Sequence, residues 1–431
     1  MTSTAPGTYL AGGYDRLRTH TAGRTVENED LGISRRHRAA QGALEAMKLQ
    51  LSRHTASSDA DEASRPVHLG AHPAGPPTAP TEIKLFTEGD VLYAAMLASI
   101  RGACGTVRME SYLFADDEIG REFAAALAER AQAGVEVRLH LDAAGAWGTG
   151  SAAVEKHLRE HGVAVKWFHR WSWRRPLRYN RRNHRKLLVV DDQLAYVGGF
   201  NIHRQSSRRL YGEARWRDTH ASISGALVLD AAKLFDAFWN GHRRWRQALS
   251  GDANLIPNHT GRCRHLIRCV YSEAFAGARE RIYLTTPYFV PDLLMQQRLM
   301  NAARRGVDVR LLVPSRSDVP LTRWAAHAFY AALIAAGVRV YEYLPRMLHA
   351  KTIAIDGHWA VIGTANFDYR SFFLNYELVL ALREPEFCAQ LELQFHADLC
   401  ESSSVESGHW AERRWWRRLL EVVGWTVRRW L

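Results

Sequence analysis

HAKTIAIDGHWAVIGTANFDYRSFFLNYE, residues His349–Glu377, repeats a pattern already present in NHRKLLVVDDQLAYVGGFNI, residues Asn183–Ile202. Both contain H-x-K-x-x-x-x-D: His184, Lys186 and Asp191 in one, His349, Lys351 and Asp356 in the other. Each is followed, at the same distance, by a small-residue turn and an asparagine. These are Gly198, Gly199 and Asn201 in the first copy, and Gly363, Thr364 and Asn366 in the second. One match carries little weight in a chain with 20 His and 57 Lys and Arg. Two matches in one register, with the same downstream turn, mark an internal duplication.

The pattern has a chemical reading. On an extended segment, residues i and i+2 point to the same side, so His and Lys stand together. The apolar runs Leu187–Val190 and Thr352–Ile355 read as buried strands that end at their Asp and a turn. An imidazole beside an ammonium suits a phosphate. Lys holds the non-bridging oxygens, and His attacks phosphorus or protonates a leaving oxygen. Asn201 and Asn366 can donate amide hydrogens to phosphoryl oxygens. Phosphodiester exchange through a covalent intermediate needs two such histidines, and two copies brought face to face supply both.

The paired motifs resemble those of the phospholipase D superfamily. The second copy, with Asn366, Asp368, Arg370, Ser371, Asn375 and Glu377, is similar to the bacterial cardiolipin synthase type. So are the first copy and TTPYFVPD at Thr285–Asp292. The similarity runs over roughly residues 84–400, and departs after Asn201, where the first half is Arg-rich and lacks N-x-D-x-R-S. The resemblance implies a phosphatidyltransferase acting on phospholipid substrates. It would make cardiolipin from phosphatidylglycerol through an intermediate on His184, with His349 as acid and base, and release glycerol. A phospholipase D-type phosphodiesterase or a nuclease is the alternative. Glu377 fits the family's acid that sits near the first-half His, and the resemblance makes Asp191 and Asp356 structural as much as catalytic. Asp218, in RWRDTHASISG, occupies the place after the first motif equivalent to Glu377, and could orient the other histidine. Glu110, in MESYLF, either lines the pocket or caps its strand.

From Ile83 onward strand and helix alternate, which is the α/β signature. Strand Thr106–Ala115, helix Glu118–Gly134 and strand Val135–Asp142 recur as strand Arg281–Val290, helix Leu293–Gly306 and strand Val307–Pro314. Ala336–Tyr343 likewise parallels His161–Phe168. The expected fold is two similar phospholipase D-like lobes, each a mixed sheet flanked by helices. They are related by a pseudo-two-fold axis, with the active site at the seam. The boundaries are 1–82 for a poorly patterned extension with a Pro-rich linker at Pro66–Glu82, 83–250 and 251–405 for the lobes, and 406–431 for a tail. Within the extension, Ser34–Arg53 carries a helical pattern.

A net charge of +12 over 431 residues suits a polyanionic partner, although charge alone does not choose among lipid, nucleic acid and phosphorylated substrate. A genomic bias toward Arg is the alternative source of that charge. The five cysteines are scattered without metal-site spacing and fit free thiols. Neither a metal nor a cofactor is expected, because two Lys and two Asn can supply the charge stabilisation. No apolar run reaches the ~18–20 residues of a membrane span, and the first residues lack a basic-then-apolar pattern, so neither a span nor a signal peptide is expected. The chain therefore resembles the cardiolipin synthase subgroup without N-terminal transmembrane helices. In the tail, Trp415, Trp416, Leu419, Leu420, Val423, Val427 and Trp430 share one helical face opposite Arg414, Arg417, Arg418, Arg428 and Arg429. This suits an in-plane interfacial helix, or one docked on the protein's own core. The basic, aromatic approach Trp167–Lys186 suits lipid head groups or single-stranded nucleic acid. The expected partner is an anionic phospholipid membrane, with the protein peripheral on the cytoplasmic face of the inner membrane and no specific nucleic acid. The oligomeric state is not legible.

Overall fold

A computed structural model of the protein describes residues 81–145, 148–170, 173–174, 180–242, 249, 251–258, 265–406, 422, 424 and 426. The expected helix Ser34–Arg53 and residues 66–80 of the linker lie outside the described residues.

The first lobe's strands are β1 (Ile83–Phe86), β2 (Thr106–Ser111), β3 (Glu136–Asp142), β4 (Ala164–Phe168), β5 (Leu187–Val190), β6 (Leu194–Gly198) and β7 (His220–Ser224). The second lobe adds β8 (Ala253–Pro257), β9 (Arg281–Thr285), β10 (Phe289–Val290), β11 (Asp308–Pro314), β12 (Arg339–Tyr343), β13 (Thr352–Ile355), β14 (Trp359–Gly363), β15 (Phe367–Asp368), β16 (Leu378–Leu382) and β17 (Ser402–Ser404). The first sheet runs β1-β7-β6-β5-β2-β3-β4 and the second β17-β12-β11-β9-β13-β14-β16-β8, with β10 and β15 as a separate pair. Read from the other end, the second order repeats the first, with β9 in place of β2 and β13 in place of β5. Both sheets are mixed. β2-β3-β4 and β9-β11-β12 are parallel, while β5 and β13 run antiparallel to β2 and β9. This is the two-lobe α/β fold expected from the duplicated motif.

Burial explains the layering. The alternating faces of β5 divide between two apolar clusters. Leu188 and Val190 join the outer core of the first lobe with Phe123, Leu127 and Leu139. Leu187 and Val189 join a cluster that also holds Ala354, Ile362 and Leu380 of the second sheet. The helices Leu227–Trp239 and Pro385–Cys400 contribute Phe235, Leu391 and Phe395 to the same cluster. One continuous core therefore joins the two sheets and fixes the seam. Neither long strand expected near the motifs persists. Thr106–Ala115 ends at Ser111, and Arg281–Val290 breaks between Thr285 and Phe289. At the break Pro287 has no N–H to give the sheet. The chain leaves it so that β10 can pair with β15, Phe289 beside Phe367.

Most of the tail lies outside the described residues, but Gly424 is helical and buried. A β-carbon there would sit 2.5 Å from the backbone nitrogen of Ala325, in the helix Pro320–Ala335. At this point the tail is docked on the second lobe, whereas Val422 is exposed. Overpacking of this kind costs about 1–3 kcal/mol. Gly424→Val should therefore release the tail, seen as faster tryptic cleavage after its arginines. Unchanged protection would show that the docking does not depend on this contact.

Candidate active site

Neither H-x-K lies inside a sheet, because β5 and β13 begin one residue after their lysines. The motif residues are held instead by backbone bonds from the opposite lobe. His184 N donates to Tyr376 O at 2.9 Å, and Tyr376 N to Arg182 O at 2.8 Å. His349 N donates to Arg217 O at 2.7 Å, and Arg217 N to Met347 O at 2.8 Å. Tyr376 precedes Glu377 and Arg217 precedes Asp218, so each strap delivers an acid from one lobe to the histidine of the other.

The deliveries are close. Glu377 Oε2 lies 2.9 Å from His184 Nδ1, and Asp218 Oδ2 lies 2.5 Å from His349 Nδ1. An ionised carboxylate can only accept, so Nδ1 carries the hydrogen and Nε2 keeps its lone pair. Burial pushes both acids up, but their partners win. Glu377, held by His184 and by hydroxyl donation from Thr364 at 2.6 Å, stays below the usual carboxylate range. Ser371 Oγ donates to it as well, at 2.9 Å. Asp218 is kept low by Lys351 and His349. Gly199 stands where Thr364 stands in the second copy. Any side chain there would collide with the Asp218 carboxylate, so glycine makes room for the acid.

Burial lowers both histidines, with opposition from their carboxylates; His349 falls to about 4, helped by the Lys351 charge. Lys186 Nζ donates to His184 O at 2.9 Å, and Lys351 Nζ folds onto His349 O in the same way. Burial pushes Lys186 down to about 7 and Lys351 down to about 8, and the neighbouring Lys351 ammonium adds to the effect on Lys186. Tyr112 meets His184 edge-on at 4.9 Å between ring centres, and Trp216 lies 5.2 Å from His349. The side-chain Oδ1 atoms of Asn201 and Asn366 are buried without a hydrogen-bond partner. The two buried lysines beside the histidines give the site the positive charge an anion requires. Among the described residues no group of three or more His, Cys, Asp and Glu is placed to hold a metal ion.

Three candidates are not brought to this cluster. Asp191 and Asp356 stand beyond the far ends of β5 and β13, and a four-residue strand spans roughly 13 Å. Both adopt a left-handed backbone, φ 51°. Asp191 accepts from the amides of Cys104, Gly105 and Thr106. Asp356 accepts from those of Arg279, Glu280 and Arg281. Each clamps the turn that feeds the neighbouring antiparallel strand, β2 or β9, which accounts for an Asp at the same motif position in both copies. Glu110 does not line the pocket. It lies on the face of β2 that carries Arg108, beside the helix Leu227–Trp239, and pairs with Arg185 at 2.9 Å, with His140 at 3.8 Å.

Sequence reasoning missed how the straps are braced. Arg217 forks onto Asp398 of the helix Pro385–Cys400 at 3.0 and 2.9 Å, fully buried. On the His184 side Tyr376 packs instead on Phe168 and Phe238, at 5.5 and 5.0 Å. An ion pair does on one side what an aromatic cluster does on the other.

The pH dependence follows from these shifts. A lysine is charged below its own pKa, so the free site loses its cations as pH rises through about 7 to 8. It loses unprotonated histidine only below the ordinary imidazole range. Because kcat/KM reports the free enzyme, with a p-nitrophenyl phosphodiester, whose leaving group needs no proton from His349, it should fall on the alkaline side with an apparent pKa near those values. A profile flat to pH ~10, where a free Lys titrates, would contradict the assignment.

Comparison with known proteins places this geometry. The family described as cardiolipin synthase, PLD-like domain, matches residues 96–239 and 271–399. Cardiolipin synthase A of Pseudomonas syringae is 35% identical over 351 residues, covering 78% of this chain and 73% of the relative. Cardiolipin synthase 2 of Bacillus cereus is 33% identical over 364 residues, covering 79% and 69%. Among solved structures, phosphatidylserine synthase of Haemophilus influenzae superposes with TM-score 0.63 at 14% identity, covering 81% of this chain and 95% of that one. Polyphosphate kinase of Porphyromonas gingivalis gives 0.55 at 14% identity, covering 76% and 49%, and shares the fold. With both repeats matched and relatives above 30% identity along most of its length, the chain belongs to the cardiolipin synthase family of phospholipase D-like proteins.

Proposed function

We propose that the protein is a phosphatidyltransferase that joins two phosphatidylglycerol molecules into cardiolipin and releases glycerol. One observation carries this reading: two histidines, each oriented by a carboxylate of the opposite lobe, converge with two buried lysines at one seam. His184 Nε2 attacks phosphorus. The P–N bond forms as the P–O bond to glycerol breaks, and the leaving oxygen takes a proton from His349. The bound phosphodiester's negative charge favours the imidazolium this step needs. His349 then takes the proton from the primary hydroxyl of a second phosphatidylglycerol. That oxygen attacks phosphorus, the P–N bond breaks and His184 is regenerated. Lys186, Lys351, Asn201 and Asn366 hold the phosphoryl oxygens.

The test is lipid analysis of the purified protein with phosphatidylglycerol vesicles. Cardiolipin and glycerol should appear in equal amounts. Phosphatidic acid as the sole phospholipid product would make the protein a hydrolase. Turnover should persist in excess chelator, since the lysines and asparagines supply the charge stabilisation; loss restored by one divalent metal would refute this.

The membrane reading extends the proposal to an anionic bilayer at the cytoplasmic face. It rests on the net charge of +12 and on Trp173, 77% exposed with the Arg174 guanidinium 5.1 Å from its ring centre. No helix among the described residues is long and apolar enough to cross a membrane. The division of labour we propose is two phosphatidyl-transfer lobes at 83–250 and 251–405, with 1–82 and 406–431 as appendages.

A further inference from the structure

The second lobe carries a feature at the seam for which the described residues of the first show no counterpart. Tyr288 donates its hydroxyl to both carboxylate oxygens of Asp318, at 2.7 and 2.8 Å. Three adjacent strands end at this rim. Thr285 at the end of β9 lies beside Thr352, which follows Lys351, and beside Leu312 near the end of β11. Lys351, Tyr288 and Asp318 therefore leave neighbouring strands at the same edge. Tyr288 is held there. Thr286 Oγ1 donates to its carbonyl at 3.0 Å and accepts from Phe367 N at 3.0 Å. The parallel pairing of Phe289 with Phe367 sets Tyr288 beside Asn366. Asp318 itself is exposed. It lies close enough for its charge to favour the protonated forms of His349 and Lys351, against the larger effect of their burial.

Among the described residues the first lobe lacks the tyrosine. Asp117 and Asp292 cap equivalent helices, and Phe114 and Phe289 make equivalent bridges to the segment after the motif asparagine. By that match Leu113 stands where Tyr288 stands.

An exposed carboxylate beside a phosphate pocket works against binding an anion. A fixed acceptor there serves a neutral donor, namely hydroxyl. We propose that Asp318, oriented by Tyr288, is a specificity-determining residue that accepts a hydrogen bond from the second hydroxyl of a polyol alcohol reacting at His349. This inference rests on the transfer reading above. A glycerol head group presents two adjacent hydroxyls, one for His349 Nε2 and its neighbour for Asp318. Water brings one oxygen only, so it cannot place a second hydroxyl at Asp318 while the first reacts at His349. The rim also explains the asymmetry. Alcohols leave and enter on the side opposite the nucleophile, so only the His349 side needs to recognise them.

The test is competition between ethane-1,2-diol and propan-1-ol as soluble acceptors. The full chain acts on phosphatidylglycerol vesicles, and the phosphatidyl-alcohols and phosphatidic acid are counted by mass spectrometry. Wild type should prefer the diol by about tenfold, as a hydrogen bond to a charged group provides. Asp318→Asn should bring the preference near parity and raise the phosphatidic acid share, and Tyr288→Phe should fall between. A diol preference kept by Asp318→Asn overturns the proposal, as does an equal loss with diol, monohydric alcohol and water. A wild type that forms no cardiolipin yet prefers the diol, with the preference lost in Asp318→Asn, would sink the cardiolipin reading and leave this one standing. Normal cardiolipin formation with the diol preference untouched in Asp318→Asn would do the reverse.

Discussion

His184→Ala should lower phosphatidyl transfer by about 10^5-fold, because a covalent nucleophile acting with its partners as a unit leaves only residual electrostatic catalysis when removed. Glu377→Gln should cost about 10^2- to 10^4-fold with little change in KM. An amide in place of the carboxylate can present NH2 to Nδ1 and select the wrong imidazole tautomer. The strap bond from His184 N to Tyr376 O is backbone and survives that change, so the fold should hold. His349→Ala separates the two histidines. A phosphodiester with a p-nitrophenol leaving group needs no proton, so His349→Ala should still release a burst of nitrophenol and then stall as the phosphoryl-enzyme. His184→Ala should give no burst. A burst from His184→Ala with none from His349→Ala would exchange the roles of nucleophile and acid.

The duplication was legible because the motif depends on local order. His, Lys and Asp keep fixed spacing from strand to turn, and β5 and β13 begin and end where their apolar runs do. Glu377 was legible through the same stretch. Asp218 was harder, since its distance from the first motif differs from that of Glu377 from the second. The structure accounts for the difference, because the first lobe inserts the short helix Arg208–Tyr211 where the second has Tyr369–Phe373 and a tighter return. The braces were illegible for another reason. Arg217 and Asp398 lie in different lobes, and nothing local separates Arg217 from the other arginines around it. Asp191, Asp356 and Glu110 are acids near the motifs in sequence that the structure sets apart from the two histidines. An Asp that caps three backbone amides and an Asp that meets substrate look alike until the strand between it and the lysine is given its length. The broken strand at Pro287 belongs to the same class, since it follows from a partner, β15, that lies far along the chain.

Lys186→Met should make the protein more stable and inactive at once. Lys186 and Lys351 are 2% and 4% exposed and close enough to repel. In the folded chain burial brings Lys186 down to about 7, against 10.5 for an unperturbed lysine. The folded state therefore disfavours the charged form. The cost is fully present below pH ~7, shrinks as pH rises and is gone above pH ~10.5, where the unfolded chain is neutral too. A tenfold change in a protonation equilibrium is worth about 1.4 kcal/mol, so the upper bound is a few kcal/mol. Part of it is returned by the lost hydrogen bond to His184 O. Met matches the length of the Lys stem and carries no charge to desolvate. Calorimetry should show a melting temperature raised by several degrees at pH ~6–7, with the gain fading by pH ~10. Over the same samples kcat/KM should fall about 10^3-fold, as a charge aimed at the phosphoryl oxygens is removed. A variant less stable than wild type at neutral pH, or a gain that does not change with pH, would show that Lys186 is paired well enough in the empty site to contribute to folding. The site would then not be holding two strained cations in readiness for an anion.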